Sequence, residues 1–468
     1  MDKPECPGCR QRDIRIGQLE RRVAELEALV RDLLSRLKTN SSNSSIPPSA
    51  NPPNAAPPVV KKRSRRRRGG QKGHPPHLKT LVPADRVKEV IPFLPKQCDR
   101  CQAPLSEKAS AGDPEPSRHQ VAELPPLVAE IREYQGHART CSCCGHVTRA
   151  SIPQEIRKHG CGPRLTATLV YLTGVQHLSR RSVEEISEDV FGAPVALGTL
   201  SGLEKEVSEV LEPAHKEALK SVRYAEIKNV DETGWKQAGK KCWLWLAATE
   251  TVAVFIVHAK RNIDGLSELL ANTCYGILCT DRWPVYKCWP TLRRQICWAH
   301  LKRDFQKLVD RGGPGSETGL AGLGIVRRVF RAWYRYRGGG LSREELEKRL
   351  SPVARELRKL LDAGSHCADE KAATFCINLI AIEPAIWQFV VTDGVEPTNN
   401  HAERILRRGV LWRKRSFGSN SEGGCRFVER ILTVAQTLRL QKRNILQFMI
   451  DAVHNYRIHS GIASLLIK

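Results

Sequence analysis

The stretch Asn229-Val230-Asp231-Glu232-Thr233-Gly234-Trp235 places an acidic side chain directly after a short apolar run. The same pattern returns where the run from Tyr275 to Thr280 leads into Asp281, and a third acid, Glu403, lies in a run with helical spacing. Two acids that end strand patterns and one acid on a helix predict a site for hard divalent cations, because carboxylate oxygens suit Mg²⁺. Since bound Mg²⁺ is usually completed by substrate phosphates, phosphoryl transfer is the first hypothesis.

The composition indicates a polyanionic partner. The 468 residues include 75 Lys and Arg against 50 Asp and Glu, which leaves a formal net charge of +25. Such a charge favours nucleic acid, bound in a salt-dependent manner. A chain of this length should fold as more than one domain. It has neither an uncharged apolar run of transmembrane length nor the apolar core of a signal peptide, so we expect a soluble cytoplasmic protein with no membrane partner.

Residues 1–38 carry a pattern typical of a leucine-zipper-like coiled coil. Apolar side chains recur at alternating spacings of four and three residues, with Glu and Arg at many other positions; they are Leu19, Val23, Leu26, Val30, Leu33 and Leu37. Such a seam predicts self-association into a homodimer or a higher oligomer. The alternative is a helix that folds back on the body of the protein.

Residues 39–80 predict a disordered linker, rich in Ser, Asn and Pro, that ends in a basic arm. The arm carries Arg65, Arg66, Arg67, Arg68 and Lys72. Dense positive charge on a flexible segment can follow a phosphate backbone or enter a minor groove, so we expect these side chains to bind DNA. The alternative is a charge block that only improves solubility.

Residues 81–155 predict a structural zinc module. Cys98 and Cys101 form one Cys-x-x-Cys pair, and Cys141 and Cys144 form a second. Four thiolates in two such pairs suit tetrahedral Zn²⁺, as in a zinc ribbon with a long insert. Cys143 is an alternative ligand to Cys141, and redox chemistry is the alternative to a metal site.

Two further segments have patterns of their own. Residues 120–124 and 128–134 alternate apolar and polar side chains, which predicts two strands. Residues 156–221 have helical spacing and a turn marked by Pro and Gly, which predicts a helical region that binds DNA.

From residue 222 the pattern predicts a mixed five-stranded sheet with helices. The expected strands cover residues 225–230, 241–249, 252–258, 275–280 and 294–298, with a helix at 264–271. Three antiparallel strands, a helix and a parallel strand whose acid meets the first acid is the order of the ribonuclease H-like fold. We therefore expect a multidomain α/β protein. Its ribonuclease H-like core would cover residues 222–311 and 391–468, with an α-helical insertion at 312–390.

Together these motifs resemble the insertion-sequence-66 family of DDE transposases, over nearly the whole chain. The residues that carry the resemblance are the leucine-rich N-terminus, the linker, Gly69-Gly70-Gln71-Lys72-Gly73-His74, the two cysteine pairs, Asp231-Glu232-Thr233, Thr280-Asp281, Asn399-Asn400-His401-Ala402-Glu403-Arg404 and Arg413-Lys414-Arg415-Ser416-Phe417-Gly418-Ser419.

The resemblance implies a bacterial, nucleoid-associated enzyme. Asp231, Asp281 and Glu403 would be its catalytic triad, and its N-terminal modules would bind the terminal inverted repeats of an insertion sequence. Two Mg²⁺ (or Mn²⁺) ions held by the triad would support cleavage and strand transfer on double-stranded DNA. Oligomerisation would bring two DNA ends together, and accessory proteins of the same element are possible partners.

Glu232 and a surface role for Glu403 are the alternatives to this triad. Adjacent strand residues point to opposite faces, so only one of Asp231 and Glu232 can face the metals. Glu403 could instead be an ordinary helix acid paired with Arg407 four residues on.

Several cations are expected to bind DNA phosphates near the site; they are Lys302, Arg303, Arg404, Arg407, Arg408, Arg413, Lys414 and Arg415. Asn400 is a candidate supporting residue. Cys297-Trp298-Ala299-His300 resembles a Cys-x-x-His signature of such transposases, and its alternative is a core cysteine with a satisfied histidine. Two other functions remain open: a non-catalytic, zinc-containing DNA-binding protein derived from a transposase, and a ribonuclease H-like nuclease without strand transfer.

Overall fold

The computed structural model describes residues 15–27, 30, 81–106, 108, 110, 112–461 and 463–466. The predicted linker and basic arm, with Arg65, Arg66, Arg67, Arg68 and Lys72, lie outside these residues, as do Leu33 and Leu37 of the heptad pattern. No helix in the described part of the chain is both long and apolar enough to span a bilayer.

A five-stranded mixed sheet lies at the centre of the fold. Its strands are β3 (Ile227–Gln237), β4 (Lys240–Ala248), β5 (Ala253–His258), β6 (Ile277–Thr280) and β7 (Arg294–Ile296), in the order β5-β4-β3-β6-β7. β3 pairs antiparallel with β4 and parallel with β6. The predicted five-stranded mixed sheet is thus confirmed.

Two predicted strand ends were wrong. β3 does not stop at Asp231 but continues to Gln237, because its hairpin with β4 pairs every residue from Asn229 to Gln237. The last strand ends at Ile296, and Trp298 already begins a helix. The first acid therefore lies in the middle of a strand.

Helices make up much of the described chain, and some of them, such as the helix Glu422–Leu440, pack on the sheet. They are α2 (Gln154–Arg157), α3 (Pro163–Val170), α4 (Arg180–Asp189), α5 (Leu197–Val210), α6 (Glu212–Arg223), α7 (Ile263–Leu270), α8 (Trp298–Arg311), α9 (Gly315–Arg337), α10 (Arg343–Gly364), α11 (Glu370–Ile380), α12 (Gln388–Val391), α13 (Asn400–Ser416), α14 (Glu422–Leu440) and α15 (Ile445–Arg457). The region 156–221 is helical, as expected. Its buried residues share one apolar cluster with the sheet and with α14 and α15, so the structure does not separate it from the core.

The edge strand β5 is closed by polar side chains of α14 rather than by another strand. The backbone N–H groups of Ala253 and Phe255 donate to the hydroxyls of Thr437 and Thr433, at 3.0 and 2.9 Å. The next N–H along the strand, at Val257, donates to Glu429 Oε1 at 2.7 Å. These three acceptors recur every four residues on one helix face, which satisfies an edge that would otherwise be open to pairing with another chain.

The helices between β7 and α13, of which α8 is the first, share one apolar cluster with residues of β6 and β7. Trp298 and Phe305 of α8, Val329 of α9 and Leu357 of α10 are among its buried members. The expected start of α10 at Ser342 is confirmed by a capping box, in which the Ser342 hydroxyl accepts from the Glu345 N–H while the Glu345 carboxylate accepts from the Ser342 N–H.

The N-terminal part differs from expectation in one respect. A helix, α1, covers residues 15–27, and β1 (Ala138–Thr140) pairs with β2 (Val147–Arg149). The strands predicted at residues 120–124 and 128–134 are not formed, because no strand among the described residues pairs with them. Their alternating apolar side chains are exposed instead, Val121 to 83% and Ile131 to 81%.

Close packing of α9 on α8 depends on Gly322. A Cβ atom at this position would overlap the Phe305 ring. We therefore expect Gly322→Ala to lower the free energy of unfolding by about 1–3 kcal/mol, the usual effect of overpacking a core. Denaturant-induced unfolding of the two proteins would measure the difference.

Gly324→Ala is the matched control on the same helix. Its Cβ would meet only the end of the Arg327 side chain, at 3.7 Å. Replacing a helical glycine by alanine at an open position should stabilise the protein by about 0.5–1 kcal/mol. Equal and small effects of the two substitutions would mean that α8 and α9 do not pack this closely.

Candidate active site

The parallel pairing of β3 and β6 places the first two acids side by side. Asn229 lies opposite Cys279 in the register of the two strands. Asp231 and Asp281 each follow two residues later, so both lie at the same end of the strand pair. The turn after β6 is fixed by Asp281 itself, whose Oδ1 accepts from the Trp283 N–H at 2.8 Å.

The third acid is brought to this place by Asn399, directly before α13. Asn399 is 1% exposed. Its Nδ2 donates to the carbonyl of Val230 at 2.8 Å, and its Oδ1 accepts from Asn229 Nδ2 at 2.9 Å. The start of α13 is thereby held against β3 next to Asp231. Glu403 lies one turn into the helix, and its N–H donates to the Asn399 carbonyl at 3.2 Å.

The three acids interact electrostatically. Burial raises the pKa of Asp231 well above its usual range, and the charges of Glu232, Asp281 and Glu403 add to this effect. Bringing like charges together in a partly desolvated place is unfavourable unless a cation compensates them. Among the described residues these acids are not a set whose ligand atoms all lie within 4.8 Å of one another. A donor set of three carboxylates suits Mg²⁺, and a pair of metal ions about 3.5–4 Å apart can be shared by spread carboxylates.

Glu232 has a different role from its neighbour Asp231. Its carboxylate is buried on the other face of β3, where it accepts from Arg261 Nε at 2.8 Å and from the Tyr286 hydroxyl at 2.5 Å. The guanidinium of Arg261 in turn stacks on Trp283, 4.1 Å from the ring centroid. Because Glu232 is already paired with a cation, Asp231 is the residue of the two that is available to a metal ion.

The Cys-x-x-His motif lies beside the third acid. Cys297 Sγ, a nitrogen of His300 and an oxygen of Glu403 lie within 4.8 Å of one another. His300 Nδ1 is 3.7 Å from Glu403 Oε1, and Arg303 is 4.0 Å from the same oxygen. Burial raises the pKa of the Cys297 thiol to about 11 and lowers the pKa of His300, whose imidazole also faces Arg303. Cys297 is therefore a neutral thiol here.

Asn399, and not only the predicted Asn400, contacts the elements that position the acids. Asn400 is exposed, whereas Asn399 makes the buried contacts to Asn229 and Val230 and also donates its N–H to Cys297 Sγ at 3.2 Å. An asparagine before a helix usually suggests a helix cap, and Asn399 makes no side-chain cap contact. The sequence held no signal that would separate the two neighbours.

The predicted DNA-binding cations divide into free and engaged side chains. Exposed positions are Lys302, Arg404, Arg407, Arg408 and Lys414; Arg415 is exposed too, but it donates to the His177 carbonyl at 3.3 Å. Arg303 is partly buried near Glu403. Arg413 is engaged: its guanidinium donates to the Thr233 hydroxyl at 3.0 Å and to the Gly234 carbonyl. Arg413 therefore ties α13 to β3 through one guanidinium nitrogen, and its contact with DNA stays a prediction.

A basic groove that the sequence analysis did not identify lies next to the acids. It is formed by α8, α9 and the start of α13, has a volume of about 810 Å³ and is lined by Arg327, Arg331, Arg335, Phe330 and Tyr334, among others. Lys302 and Asn400 form its opposite side. The spacing of four residues between the arginines is visible in the sequence and could have revealed a basic stripe.

The two cysteine pairs form separate turns. The pKa of Cys98 is lowered by hydrogen bonds from the backbone N–H groups of Cys101 and Arg100 and by the Cys101 thiol. The pKa of Cys141 is likewise lowered by hydrogen bonds from the backbone N–H groups of Cys144 and Cys143 and by the Cys144 thiol. Gly145 closes this turn with a φ of +71°, which suits glycine. The thiol contact between Cys141 and Cys144 favours these two as the pair. In the described part of the chain the four thiols do not gather into one cluster, so zinc binding stays a prediction.

A comparison with protein-family models identifies the chain. The model described as Transposase IS66 family matches residues 158–426, which is more than half of the chain. The chain belongs to this family. The match includes β3, β6 and the whole of α13 and begins where the helical region begins. A second model, a family of unknown function, matches residues 4–80.

Two curated relatives of this IS66-family protein come from Sinorhizobium fredii. An uncharacterized protein, y4qI, is 25% identical over 43% of this chain and 41% of its own length. A second uncharacterized protein, y4hP, is 24% identical over 64% of this chain and 60% of its own length. The chain thus spans about two-fifths and three-fifths of the curated relatives it matches.

Because the charge on Asp231 is unfavourable in the fold, we expect Asp231→Asn to stabilise the metal-free protein at neutral pH. The pKa of Asp231 is higher in the folded than in the unfolded state, so ionisation above about pH 3.9 lowers stability. The advantage of the variant should therefore grow as the pH rises from about 4, by about 1.4 kcal/mol for each unit between the two pKa values. Thermal unfolding across pH would measure it.

Added Mg²⁺ should reverse this order, because only the wild type can use the Asp231 carboxylate to bind it. Glu232→Gln is the control: it breaks the buried pair with Arg261 and should destabilise the protein with or without metal. A metal-free Asp231→Asn protein less stable than the wild type at pH 7 would contradict the electrostatic interpretation.

Proposed function

We propose that this IS66-family protein is a DDE transposase that cleaves DNA at the ends of its insertion sequence and joins the 3′-hydroxyl to target DNA. The observation that carries the proposal is the meeting of Asp231, Asp281 and Glu403 from two adjacent strands and one helix. The order of the strands, with a helical segment before the third acid, supports a ribonuclease H-like core. The net charge of +25 supports DNA as the substrate.

Asp231, Asp281 and Glu403 would hold Mg²⁺, or Mn²⁺ in its place. A bound pair of these ions would supply activation of the attacking oxygen and stabilisation of the leaving oxygen. In the joining step, the 3′-oxygen of the element end attacks a phosphorus of the target strand. The bond from that phosphorus to the target's own 3′-oxygen breaks, and the freed oxygen takes up a proton while the attacking hydroxyl loses one.

The remaining side chains of the site orient the acids and the DNA. Asn399 holds the start of α13 against β3 through its hydrogen bond to Val230. Near the other end of the helix, Arg413 holds α13 against the same strand through its hydrogen bond to Thr233. Arg303 faces Glu403 and offsets part of the negative charge before substrate binds. Positioning of this kind is the main contribution a protein makes to phosphoryl transfer.

The basic groove is the proposed path of a DNA strand into the site. It is bordered by Asn400, which is three residues before Glu403 in α13, and by Ala299, next to His300. Arg327 and Arg331 lie on one helix with Phe330 and Tyr334, whose rings stack with their centroids 6.1 Å apart. Alternating cations and aromatic rings suit a nucleic-acid strand, because cations bind phosphates and rings stack on bases.

The N-terminal parts support roles in binding and assembly. The two cysteine turns would hold structural Zn²⁺ in a module that contacts the terminal inverted repeats. On α1, Leu19, Val23 and Leu26 are each about half exposed, which leaves an apolar seam open to a second copy. A homodimer or higher oligomer would hold the two ends of the element together.

The proposal is tested by cleavage of a labelled element-end DNA with wild type and with Asp231→Ala, Asp281→Ala and Glu403→Ala. We expect all three variants to bind this DNA and to lose Mg²⁺-dependent cleavage by more than about a thousandfold, since each removes a ligand of the reacting centre. Normal cleavage by Glu403→Ala would show that the third acid lies elsewhere.

The same gel separates the other functions. Nicked ends without joined products would indicate a ribonuclease H-like nuclease without strand transfer. Binding without cleavage by the wild type would indicate a DNA-binding protein derived from a transposase.

The groove is tested with Arg331→Ala and, as its matched control, Arg328→Ala. Both remove one arginine from α9, but Arg328 faces away and pairs with Glu356 at 2.5 Å. We expect Arg331→Ala to weaken binding of end DNA and to reduce the slope of log affinity against log salt by about one. Fluorescence anisotropy in several salt concentrations, without Mg²⁺, would measure both. Equal slopes for the two variants would place the DNA outside the groove.

A further inference from the structure

Three chemically different ligand atoms converge at the start of α8. Cys297 Sγ, a His300 ring nitrogen and a Glu403 carboxylate oxygen all lie within 4.8 Å of one another. Cys297 precedes the helix and His300 lies on its first turn, while Glu403 comes from the first turn of α13. Two separate helix starts are therefore needed to assemble the group.

Two of the three ligand groups have no hydrogen-bond partner. His300 Nδ1 and Glu403 Oε1 are buried atoms without one, and they face each other at 3.7 Å. Buried polar atoms are satisfied in most native proteins, and an unsatisfied pair points to an absent ligand. Arg303, 4.0 Å from Glu403 Oε1, is too far for a hydrogen bond.

The third ligand is prepared for a metal by its surroundings. Cys297 Sγ accepts the N–H of Asn399 at 3.2 Å. A backbone N–H that points at the sulfur stabilises a thiolate and fixes its orientation, as the outer contacts of metal ligands generally do. The same Asn399 holds α13 against β3, so one residue positions both the thiol and the carboxylate.

We propose that Cys297, His300 and Glu403 form a binding site for Zn²⁺, distinct in chemistry from the Mg²⁺ site but sharing Glu403 with it. Thiolate and imidazole ligands select Zn²⁺, whereas Mg²⁺ prefers oxygen ligands. Three protein ligands leave the fourth tetrahedral position open. The inference extends the proposed function: Zn²⁺ at this place withdraws Glu403 from the catalytic acids and inhibits DNA cleavage.

Zinc content gives the first test, and it does not depend on catalysis. The purified full-length wild type, Cys297→Ser, His300→Gln and the control Cys376→Ser are dialysed against the same free Zn²⁺ and analysed for bound metal. Cys376 is a buried cysteine of α11, far from the site in the sequence. The cysteine pairs of the N-terminal module are unchanged in all four proteins, so any zinc they hold cancels in the comparison.

We expect Cys297→Ser and His300→Gln to bind one Zn²⁺ fewer per chain than the wild type and Cys376→Ser. Substitution with Co²⁺ should show the same difference in the thiolate-to-cobalt charge-transfer band. Equal zinc content in all four proteins would overturn the proposal. His300→Gln guards against a folding defect in the buried cysteine variant, because His300 is partly exposed.

Inhibition is the second measurement. In the presence of Mg²⁺, the Zn²⁺ concentration that halves cleavage of end DNA should be about tenfold or more higher for Cys297→Ser than for the wild type and Cys376→Ser. An unchanged inhibitory concentration would overturn the competition for Glu403. If the wild type does not cleave DNA at all, the proposed function fails, while the zinc content still decides the site.

Discussion

The amide of Asn399 is the contact on which the geometry of the site depends. It joins Asn229 and Val230 of β3 to the start of α13 across a sequence separation of 170 residues. Its hydrogen bond to the Val230 carbonyl is buried, so losing that bond would leave a polar group without water or partner. The position of Glu403 relative to Asp231 follows from this lock, because α13 is a rigid helix from Asn400 onward.

The same arrangement of acids that suits a cation also lowers the stability of the fold, because it buries Asp231 near other negative charges. The fold buries Asp231 and brings it near other acids, and burial together with the charges of Glu232, Asp281 and Glu403 raises the pKa of Asp231. Glu232, one residue away, has its own cation in Arg261, although its charge still adds to the raised pKa of Asp231. The alternation of side chains along a strand thus separates two neighbouring acids: Glu232 pairs with Arg261, and Asp231 faces the site where the proposed function needs a cation.

The sequence predicts local features well and long-range partners poorly. The three acids stand out in the sequence as candidates because an apolar run before an acid and a helical period are local signals. The strands expected at residues 120–134 were not formed, because alternation indicates an extended chain but not the presence of a partner strand. Similarly, Arg331 and Arg328 look alike in the sequence. Only the pairing of Arg328 with Glu356 shows which face of α9 is free.

The helical segment between β7 and α13 is more than a spacer. Its apolar cluster includes Cys279 and Ile296 of the sheet, so the segment and the ends of β6 and β7 share one core. Trp298, at the start of α8, connects this core to the chain that leads into α13. Its backbone N–H donates to the Pro397 carbonyl at 2.8 Å, and its indole N–H donates to the Ile386 carbonyl at 2.9 Å. Loosening this core would release the chain that leads to Asn399. The geometry of the third acid is therefore coupled to the stability of helices that contribute no acid themselves.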